Sequence, residues 1–465
     1  MRYAVIGAGL AGLTAATEIR RADADATIHV FEATDRIGGK LFTVPFASGP
    51  TDLGAEAFLA RRQDAVDYFT ELGLGESIVH PSGKRSLVYT QGQAKSLPAG
   101  GVMGIPSSSA PVAHLVSDDT ARRIDAEGDA EPIDWTIGGD VNIGALVRER
   151  YGDEVVDRVI SALLGGVYSC TADDLGMRAT VPQLAEAFDA LAEAGEKVTL
   201  SAAVRRIEDS RPVPAEGEEP APVFGTFRGG YAEAYETLAE ASGAEIYLDA
   251  FIAGVERSGD SYTVVGGGEP ADEPYDKVVL ATPAPTTALL LKKIAPEAAE
   301  RLKSVKLANS VVVGMKFDSG EGLPDNSGVL IAADQPGVRA KAFTFSSKKW
   351  PHLGERGGAL VRASFGRFGD DVAIRADEDD LVDWALDDLQ KITGFDGREA
   401  GLAEIYTQRW FGGLPRYDET HLDTVAAVRG HLDGVEGLEV TGAWAGGVGV
   451  PAVIADARAA VGRLV

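Results

Sequence analysis

The amino-acid sequence predicts an α/β protein with a parallel sheet assembled from segments that are far apart in the chain. Residues 2–6 predict a buried strand, residues 10–21 a helix and residues 27–32 a second strand, which together make a βαβ unit. Residues 277–281 predict another strand of this sheet, and residues 453–465 predict a closing helix. A chain of 465 residues is too long for one simple core, so we expect further lobes.

The remaining segments predict two such lobes. Apolar residues recur at helical spacing in several segments between residues 60 and 205, which predicts a mostly helical region. A second sheet, followed by a helix over residues 379–393, is predicted from short apolar segments at residues 310–317, 328–332, 342–346 and 359–365. The proline-rich residues 209–222 are interpreted as an exposed insertion at a lobe boundary. The predicted division is a Rossmann-like domain of residues 1–58, 222–290 and 424–465, a helical lobe of residues 59–180, and an α+β domain of residues 181–221 and 291–423.

Composition and charge exclude several classes of function. The chain has 44 Lys and Arg against 71 Asp and Glu, and a net charge of −27 argues against nucleic acid as a partner. Cys170 is the one cysteine, which excludes an intramolecular disulfide or a multi-cysteine metal site, and the six scattered histidines predict no metal centre. No apolar run reaches about 18 residues, so we expect a cytoplasmic protein and leave peripheral membrane contact open. Redox chemistry would need an organic cofactor.

The turn of the N-terminal βαβ unit contains a complete dinucleotide-binding fingerprint. Its Gly-x-Gly-x-x-Gly sequence comprises Gly7, Ala8, Gly9, Leu10, Ala11 and Gly12. Gly7 permits a tight turn, Gly9 lets the backbone approach a pyrophosphate, and Gly12 allows the helix to pack closely on the strand. Glu32 ends the next strand, 20 residues after Gly12, where a carboxylate can accept hydrogen bonds from ribose hydroxyls. The helix N-terminus adds amide donors for the phosphates, so the sequence predicts a dinucleotide site.

Three later segments indicate which dinucleotide is bound. Residues 36–40, Arg-Ile-Gly-Gly-Lys, match an element that continues from the ribose-binding acid in flavin enzymes similar to the amine oxidases. Residues 52–56 resemble the next element of those enzymes, and residues 441–451 resemble the third. The third segment has no cysteine, which excludes a thioether-linked flavin there. The sequence has no second complete fingerprint for a nicotinamide nucleotide, so we expect the substrate itself to reduce a non-covalent FAD, one per chain.

The middle of the chain resembles one branch of this superfamily. Residues 161–170 and 174–184 are similar to the Gly-Val-Tyr … Leu-Ser … Ala … Pro region of protoporphyrinogen and coproporphyrinogen oxidases. Further matches in family order lie at residues 227–231, 279–284, 408–410, 414–417 and 421–422. The resemblance spans nearly the whole chain and is strongest to the bacterial type of Gram-positive organisms, which acts on coproporphyrinogen. Ala55 and Gly176 depart from the proline and serine common in the family, but neither change removes a charged or redox group.

The resemblance implies a set of binding residues and a reaction. Beyond the glycine turn and Glu32, the implied FAD contacts are Ala33, Arg36, Gly39, Lys40, Gly54, Ala55, Glu56, Ala57, Val255, Trp410, Ala443, Val448, Gly449 and Val450. FAD would carry the chemistry without a catalytic side chain or a metal: a six-electron oxidation in three flavin cycles, with hydrogen peroxide formed from molecular oxygen. The candidate substrate contacts are Tyr168 along the ring face, with the cations Arg178, Lys341, Arg362 and Arg416 for the propionates.

The predicted activity is the oxidation of coproporphyrinogen III to coproporphyrin III in haem biosynthesis. Protoporphyrinogen IX is an alternative substrate, because the two macrocycles differ in only two ring substituents. A flavin amine oxidase or a carotenoid desaturase would share the FAD elements but not residues 165–182 in this form. A flavin-binding protein without turnover is the alternative from another functional class. We expect the porphyrinogen, molecular oxygen and, transiently, a ferrochelatase-type enzyme as partners.

Overall fold

The computed structural model describes residues 1–212, 221–268, 271 and 273–465, which divide into two compact units. The first unit comprises Met1–Pro81, Ala221–Lys306 and Asp423–Val465, and the second comprises Ser82–Pro220 and Leu307–Leu422. Residues 213–220, the centre of the predicted insertion, lie outside the described residues. The division into a Rossmann-like domain, a helical lobe and an α+β domain stays a prediction.

The strands and helices of both units are numbered in chain order. The strands are β1 (Arg2–Ile6), β2 (Thr27–Phe31), β3 (Thr43–Phe46), β4 (Gly49–Asp52), β5 (Phe58–Leu59), β6 (Ile78–Val79), β7 (Leu87–Thr90), β8 (Gln93–Ser96), β9 (Phe224–Phe227), β10 (Glu245–Tyr247), β11 (Ile252–Ser258), β12 (Ser261–Gly266), β13 (Lys277–Leu280), β14 (Leu307–Phe317), β15 (Gly328–Ile331), β16 (Ala340–Thr344), β17 (Ala359–Phe365), β18 (Leu402–Pro415) and β19 (Leu438–Val440). The α-helices are α1 (Leu10–Ala22), α2 (Gln63–Glu71), α3 (Asp118–Ala126), α4 (Ile143–Tyr151), α5 (Asp153–Val155), α6 (Ser161–Tyr168), α7 (Met177–Thr180), α8 (Pro182–Glu193), α9 (Leu200–Asp209), α10 (Ala232–Ser242), α11 (Ala284–Leu291), α12 (Pro296–Leu302), α13 (Ser346–Lys349), α14 (Pro351–Gly354), α15 (Val372–Arg375), α16 (Glu378–Thr393), α17 (His421–Leu432), α18 (Ala443–Gly446) and α19 (Val450–Leu464). A π-helical turn, Val156–Ile160, connects α5 to α6.

A five-stranded parallel sheet lies at the centre of the first unit. Its strand order is β10-β2-β1-β13-β19, and each neighbouring pair runs parallel. Parallel neighbours need long crossover connections, so one sheet can draw its strands from all three stretches of this unit. The predicted Rossmann-like sheet of discontinuous segments is confirmed.

Both faces of β1 are buried, which explains its uninterrupted apolar sequence. Tyr3 and Val5 lie in a core shared with α1, α10 and α19. Ala4 and Ile6 lie in a second core with β11, β12, α11 and α12. A parallel strand covered on both faces has no polar alternation. Each fully buried Val or Ile contributes about 1.5–3 kcal/mol, and this burial fixes the strand whose end carries the glycine turn.

A seven-stranded mixed sheet forms the framework of the second unit, in the order β18-β14-β17-β16-β15-β7-β8. The pair β15–β7 is parallel, and the other neighbours are antiparallel. The four predicted strands of the second sheet are confirmed as β14 to β17. The prediction of a mostly helical region missed the hairpin β7–β8, because β8 is a largely exposed, polar edge strand without apolar alternation.

Candidate functional site

The glycine turn between β1 and α1 lies at the carboxyl end of the parallel sheet. Gly7 has a φ of +105°, and a Cβ at this residue would lie 2.7 Å from the Ala281 carbonyl oxygen. A Cβ on Gly12 would lie 1.8 Å from the Gly7 carbonyl oxygen. At Gly9 the Cβ position has only the Gly39 Cα within ordinary contact distance, at 3.6 Å. Packing within the protein therefore requires Gly7 and Gly12 but not Gly9, whose open side fits the close approach of a pyrophosphate.

The Glu32 carboxylate reaches this turn from the end of β2. Its Oε2 accepts a hydrogen bond from the Ala8 N–H at 2.9 Å. Its Oε1 accepts from the N–H and the hydroxyl of Thr34 at 3.0 and 2.9 Å. A carboxylate has about four acceptor positions, so this partly exposed group keeps capacity for ribose hydroxyls. The structure brings the predicted acid and the predicted glycine turn together.

The loop over residues 36–40 is folded around its own arginine. The Arg36 guanidinium donates to the carbonyl oxygens of Ile37, Gly39 and Leu41 at 3.1, 2.8 and 3.2 Å. The Gly38 N–H donates to the Ala8 carbonyl at 2.8 Å, which attaches the loop to the glycine turn. Arg36 thus has a visible structural role in addition to the implied FAD contact.

Lys40 ends this loop with a solvent-accessible side chain. The neighbouring protein nevertheless removes enough hydration to lower the pKa of Lys40 to about 8, and the charge of Arg36 lowers it further while Glu32 opposes the shift. A nearby anionic group of a ligand would favour the charged form of Lys40 and oppose this shift.

Two further sequence segments meet at the N-terminus of α10. The Asp52 carboxylate accepts from the Tyr231 N–H at 3.0 Å, and the Thr43 hydroxyl accepts from the Ala232 N–H at 2.9 Å while donating to Asp52 at 2.5 Å. These contacts satisfy amide groups at the helix start that have no intrahelical acceptor. The motif over residues 52–56 is therefore joined to the motif over residues 227–231.

Gly54 explains how the 52–56 segment approaches the loop before it. A Cβ on Gly54 would lie 2.1 Å from the Lys40 carbonyl oxygen, and the Ala55 N–H donates to that carbonyl at 3.1 Å. The implied cofactor contacts Gly54 and Ala55 thus lie directly beside the 36–40 loop. The side chains of Glu56 and Ala57 are half-buried there.

The C-terminal glycine-rich loop connects β19 to α19 at the same edge of the sheet. The Thr441 N–H donates to the Leu280 carbonyl at 2.9 Å, and the Trp444 Nε1–H donates to the Thr282 carbonyl at 3.1 Å. Gly447 has a φ of +132°, and Gly449 has only the Pro451 Cδ near its Cβ position, at 3.9 Å. The implied contacts Ala443 and Val448 to Val450 therefore belong to a segment that is fixed on the end of β13, contains the short helix α18 and leads into the first residue of the 15-residue helix α19.

These segments converge at the carboxyl edge of one parallel sheet. The end of β13 lies between the two glycine segments, because Ala281 borders Gly7 and Thr282 accepts the hydrogen bond from Trp444. Ligands of open α/β sheets bind outside the carboxyl ends of the strands. The geometry of the first unit therefore fits a dinucleotide whose phosphates would lie at the N-terminus of α1.

Two implied cofactor contacts do not belong to these segments. Val255 is buried in β11, opposite Val264 of β12, within the second core of the first unit. Trp410 is buried in β18 of the second unit, opposite Ser310. Their assignment stays a prediction.

The candidate substrate contacts belong to the second unit, and Tyr168 is buried there at the end of α6. Its hydroxyl donates to the Thr180 carbonyl at 3.3 Å, and burial raises the pKa of Tyr168 to about 12. Its ring centroid lies 5.9 Å from that of Tyr417, which stacks on His421 at 4.0 Å. These rings form an aromatic cluster of the kind that can line a wall for an apolar ring.

Two of the candidate cations have carboxylate partners inside the second unit. Arg178 pairs with Asp189 at 2.8 Å and also donates to the Gly139 carbonyl. Arg416 pairs with Asp418 at 2.7 Å, and its guanidinium carbon lies 4.6 Å from the Phe368 ring centroid. An arginine that is already paired can still bind a second carboxylate through its remaining N–H donors. Arg416 is the better placed of the two, since it adjoins the aromatic cluster through Tyr417.

The other two cations lie on neighbouring strands of the mixed sheet. Lys341 of β16 is buried, and its ammonium donates to the Ser169 hydroxyl at 2.6 Å and the Gly366 carbonyl at 2.8 Å. Burial, with the nearby charge of Arg367, lowers the pKa of Lys341 to about 7. Arg362 is half-buried on β17, opposite Gly314 of β14.

Sequence reasoning missed the polar groups that hold these segments in place. Asp52 and Thr43 cap α10, Ser169 receives the buried lysine, and Asp456 lies beneath the C-terminal loop. Asp456 had a detectable signal, because it is an acid among the buried apolar residues of α19. The partners of the others are distant in sequence and leave no local pattern.

Within the part of the chain that the structure describes, no helix combines the length and apolarity needed to cross a bilayer. The same residues contain no cluster of three or more His, Cys, Asp or Glu side chains placed to hold a metal ion.

Comparisons with known proteins agree with this geometry. Residues 10–465 match the model of the flavin-containing amine oxidoreductases. The chain belongs to that family. It is 40% identical over 461 residues to the coproporphyrinogen III oxidase of Mycobacterium tuberculosis, covering 99% of this chain and 96% of that protein. It is 27% identical over 469 residues to the Bacillus subtilis protein of the same name, covering 98% and 96%.

A solved structure shares the fold along the whole chain. The putative protoporphyrinogen oxidase of Exiguobacterium sp. 255-15 superimposes with a TM-score of 0.85 at 27% identity, covering 99% of this chain and 98% of that one. As a member of the flavin-containing amine oxidoreductase family, the chain is an oxidoreductase with a flavin cofactor. The glycine turn, Glu32 and the C-terminal loop fit such a group, since Gly9 and Gly449 leave room that internal packing does not need.

Proposed function

We propose that this chain is an FAD-dependent oxidase that converts coproporphyrinogen III to coproporphyrin III with molecular oxygen as acceptor. The observation that carries the proposal is full-length similarity, at 40% identity, to a coproporphyrinogen III oxidase. The similarity leaves neither protein with a large unmatched segment, since 99% of one and 96% of the other are covered. Relative to that protein, the chain therefore has neither a large insertion nor a missing lobe that would suggest a different reaction.

The first unit would hold one non-covalent FAD. The amides at the start of α1 have no intrahelical acceptors and would donate to the pyrophosphate, to which Gly9 permits close approach. Glu32 would accept hydrogen bonds from ribose hydroxyls, and the accessible ammonium of Lys40 would offset phosphate charge. The start of α19, behind Gly449, would supply amide donors and a favourable dipole to the other end of the cofactor.

The second unit would bind the macrocycle. The buried rings of Tyr168 and Tyr417 would support one wall of the site, and Arg416, which precedes Tyr417, has a guanidinium that could hold a propionate. Bound FAD would supply a two-electron acceptor, so a six-electron oxidation needs three cycles and yields three hydrogen peroxide molecules. The side chains would orient the substrate and exclude water, because aromatisation itself drives the reaction.

The test is oxygen-dependent porphyrin fluorescence with the purified protein and its bound flavin. Coproporphyrinogen III should react faster than protoporphyrinogen IX, with three peroxides per porphyrin, and the released flavin should be FAD at one per chain. Preference for protoporphyrinogen IX would reassign the substrate. Flavin reduction by amines or carotenes, without porphyrin formation, would place the chain with the amine oxidases or desaturases. Bound FAD that no substrate reduces would leave a binding protein without turnover.

A pair of variants tests whether Arg416 contributes to substrate binding. Arg416→Gln should raise the KM for coproporphyrinogen several-fold with less effect on kcat, because it removes a charge next to the aromatic cluster. The matched control is Arg398→Gln, an arginine of the same unit that pairs with Asp383 and Asp387 on the surface. Equal effects of the two variants would contradict a propionate-binding role for Arg416.

The proposal also includes a cytoplasmic location, transient contact with a ferrochelatase-type enzyme and room for peripheral membrane contact. Cell fractionation and co-purification with a ferrochelatase test these points. Recovery in the membrane fraction even after a high-salt wash would remove the cytoplasmic location from the proposal. Failure of a ferrochelatase to co-purify, even after crosslinking, would remove the proposed contact.

A further inference from the structure

An ion pair with a buried carboxylate lies beneath the C-terminal glycine-rich loop of the first unit. Asp456 of α19 has a side chain only 6% exposed and pairs through Oδ1 with the Arg429 guanidinium of α17. Its other oxygen, Oδ2, accepts from the Thr441 hydroxyl at 2.7 Å and from the Gly442 N–H at 3.4 Å. One carboxylate therefore links two helices to the start of the loop. The family motifs found in the sequence do not include it.

The same pair shapes the middle of the loop. Arg429 also donates to the Ala445 carbonyl at 3.4 Å. A Cβ on Gly446 would lie 2.3 Å from the Asp456 Cβ and 2.7 Å from its Cγ, so Asp456 occupies the space where a side chain at residue 446 would go. Contacts with Asp456 and Arg429 therefore fix the loop backbone at both its start and its centre.

The opposite side of the loop is attached to the sheet, and only its last part is open. Trp444 is buried and donates to the Thr282 carbonyl at the end of β13. Beyond these attachments, Gly449 has no atom closer than 3.9 Å to its Cβ position. A change in the position of residues 441–446 would therefore be transmitted to Gly449 and to the start of α19.

We propose that Asp456 is a positioning residue for the flavin, an inference that rests on the proposed FAD site. Its carboxylate holds the backbone of residues 441–446 so that Gly449 and the first amides of α19 face the cofactor. Removal of the carboxylate would also leave the partly exposed Arg429 guanidinium without its ion-pair partner. The effect would appear in FAD affinity more than in the folding of the unit.

The experiment compares FAD release from holoprotein of Asp456→Asn, Thr441→Val and the wild type. The gain in fluorescence of released FAD on serial dilution gives Kd, and the visible flavin spectrum reports its surroundings. We expect Asp456→Asn to weaken FAD at least tenfold and to shift the flavin absorption bands. Thr441→Val, which removes one donor and keeps the ion pair, should weaken FAD about threefold.

The matched control is Glu439→Gln. Glu439 of β19 pairs with Arg463 of α19 at 2.9 Å, so this ion pair also holds α19 but does so through the strand before the loop. This variant should stay within twofold of the wild-type Kd. Asp456→Asn with an unchanged Kd and spectrum, whatever its melting temperature, would overturn this inference alone. If Asp456→Asn does not fold, an unchanged Kd in Thr441→Val would overturn it. Wild-type protein without FAD would overturn the proposed function together with this inference.

Discussion

The buried lysine of the mixed sheet makes the stability of the second unit depend on pH in a defined window. The pKa of Lys341 falls from 10.5 to about 7 on folding, chiefly because burial penalises the charged form. Between these values the unfolded chain binds a proton that the folded chain does not, so stability rises with pH. Below pH 7 both the folded and the unfolded chain bind the proton, so the full cost of burying the charged ammonium lowers the stability.

The magnitude follows from the two pKa values. At 1.36 kcal/mol per pKa unit, the free energy of unfolding changes by about 5 kcal/mol over the whole range between the two pKa values. Between pH 6 and pH 9 it changes by about 2.5 kcal/mol. Lys341→Met removes the titrating group together with its hydrogen bonds to Ser169 and Gly366. The lost hydrogen bonds shift stability by a similar amount at every pH. The difference in unfolding free energy between variant and wild type should therefore change by about 2.5 kcal/mol from pH 6 to pH 9.

Urea unfolding followed by tryptophan fluorescence measures this difference, since Trp135, Trp350, Trp384 and Trp410 all lie in the second unit. The control is Lys391→Met, an exposed lysine that donates to the Gly337 carbonyl at 2.7 Å. Its pH dependence should follow that of the wild type. A difference between Lys341→Met and wild type that stays constant within about 0.5 kcal/mol would refute the reasoning and show that the buried ammonium remains solvated.

Three other predictions concern particular positions. Gly12→Ala should destabilise the protein by more than about 2 kcal/mol in urea unfolding, because the new Cβ would clash with the Gly7 carbonyl. Gly9→Ala should leave the stability near that of the wild type but weaken FAD binding. Equal losses of stability in the two variants would contradict the steric argument. Asp52→Ala should lower the free energy of unfolding by about 1–2 kcal/mol in the same assay, because it removes a helix cap. An unchanged urea midpoint would contradict this role. Burial raises the pKa of the Cys170 thiol to about 12, so iodoacetamide at pH 8 should modify it only after denaturation; rapid labelling of the folded protein would show an accessible thiolate.

The first unit could be predicted from sequence because its motifs are local and steric. Gly7 and Gly12 are required by atoms within the same sheet and its first helix, and Glu32 follows at the spacing that one helix and two strands impose. The sheet order could not be predicted so directly, since β10 and β19 have three residues each and no periodic signal. Their places follow from the long crossovers that parallel pairing requires.

The second unit was less predictable because sequence shows a charge but not its partner. Arg178 and Asp189 are eleven residues apart, whereas Lys341 and Ser169 are separated by 172. The first pair could have been found on neighbouring helical segments, but the second depends on how a strand of the sheet meets the end of α6. A cation chosen from sequence as a ligand is therefore often one whose donors the fold already uses.

Asp456 shows what kind of polar residue sequence analysis can recover. It lies between Val453 and Ala460 on the buried face of α19, where burying an unpaired carboxylate would cost several kcal/mol. An acid retained at such a position needs a cation and hydrogen-bond donors close by, and the glycine loop that precedes the helix supplies backbone and hydroxyl donors within reach. The combination of an acid on an apolar helix face with a preceding glycine-rich loop therefore predicts that the acid shapes the loop. Arg429, the remaining partner, comes from α17 and becomes visible only in the folded chain.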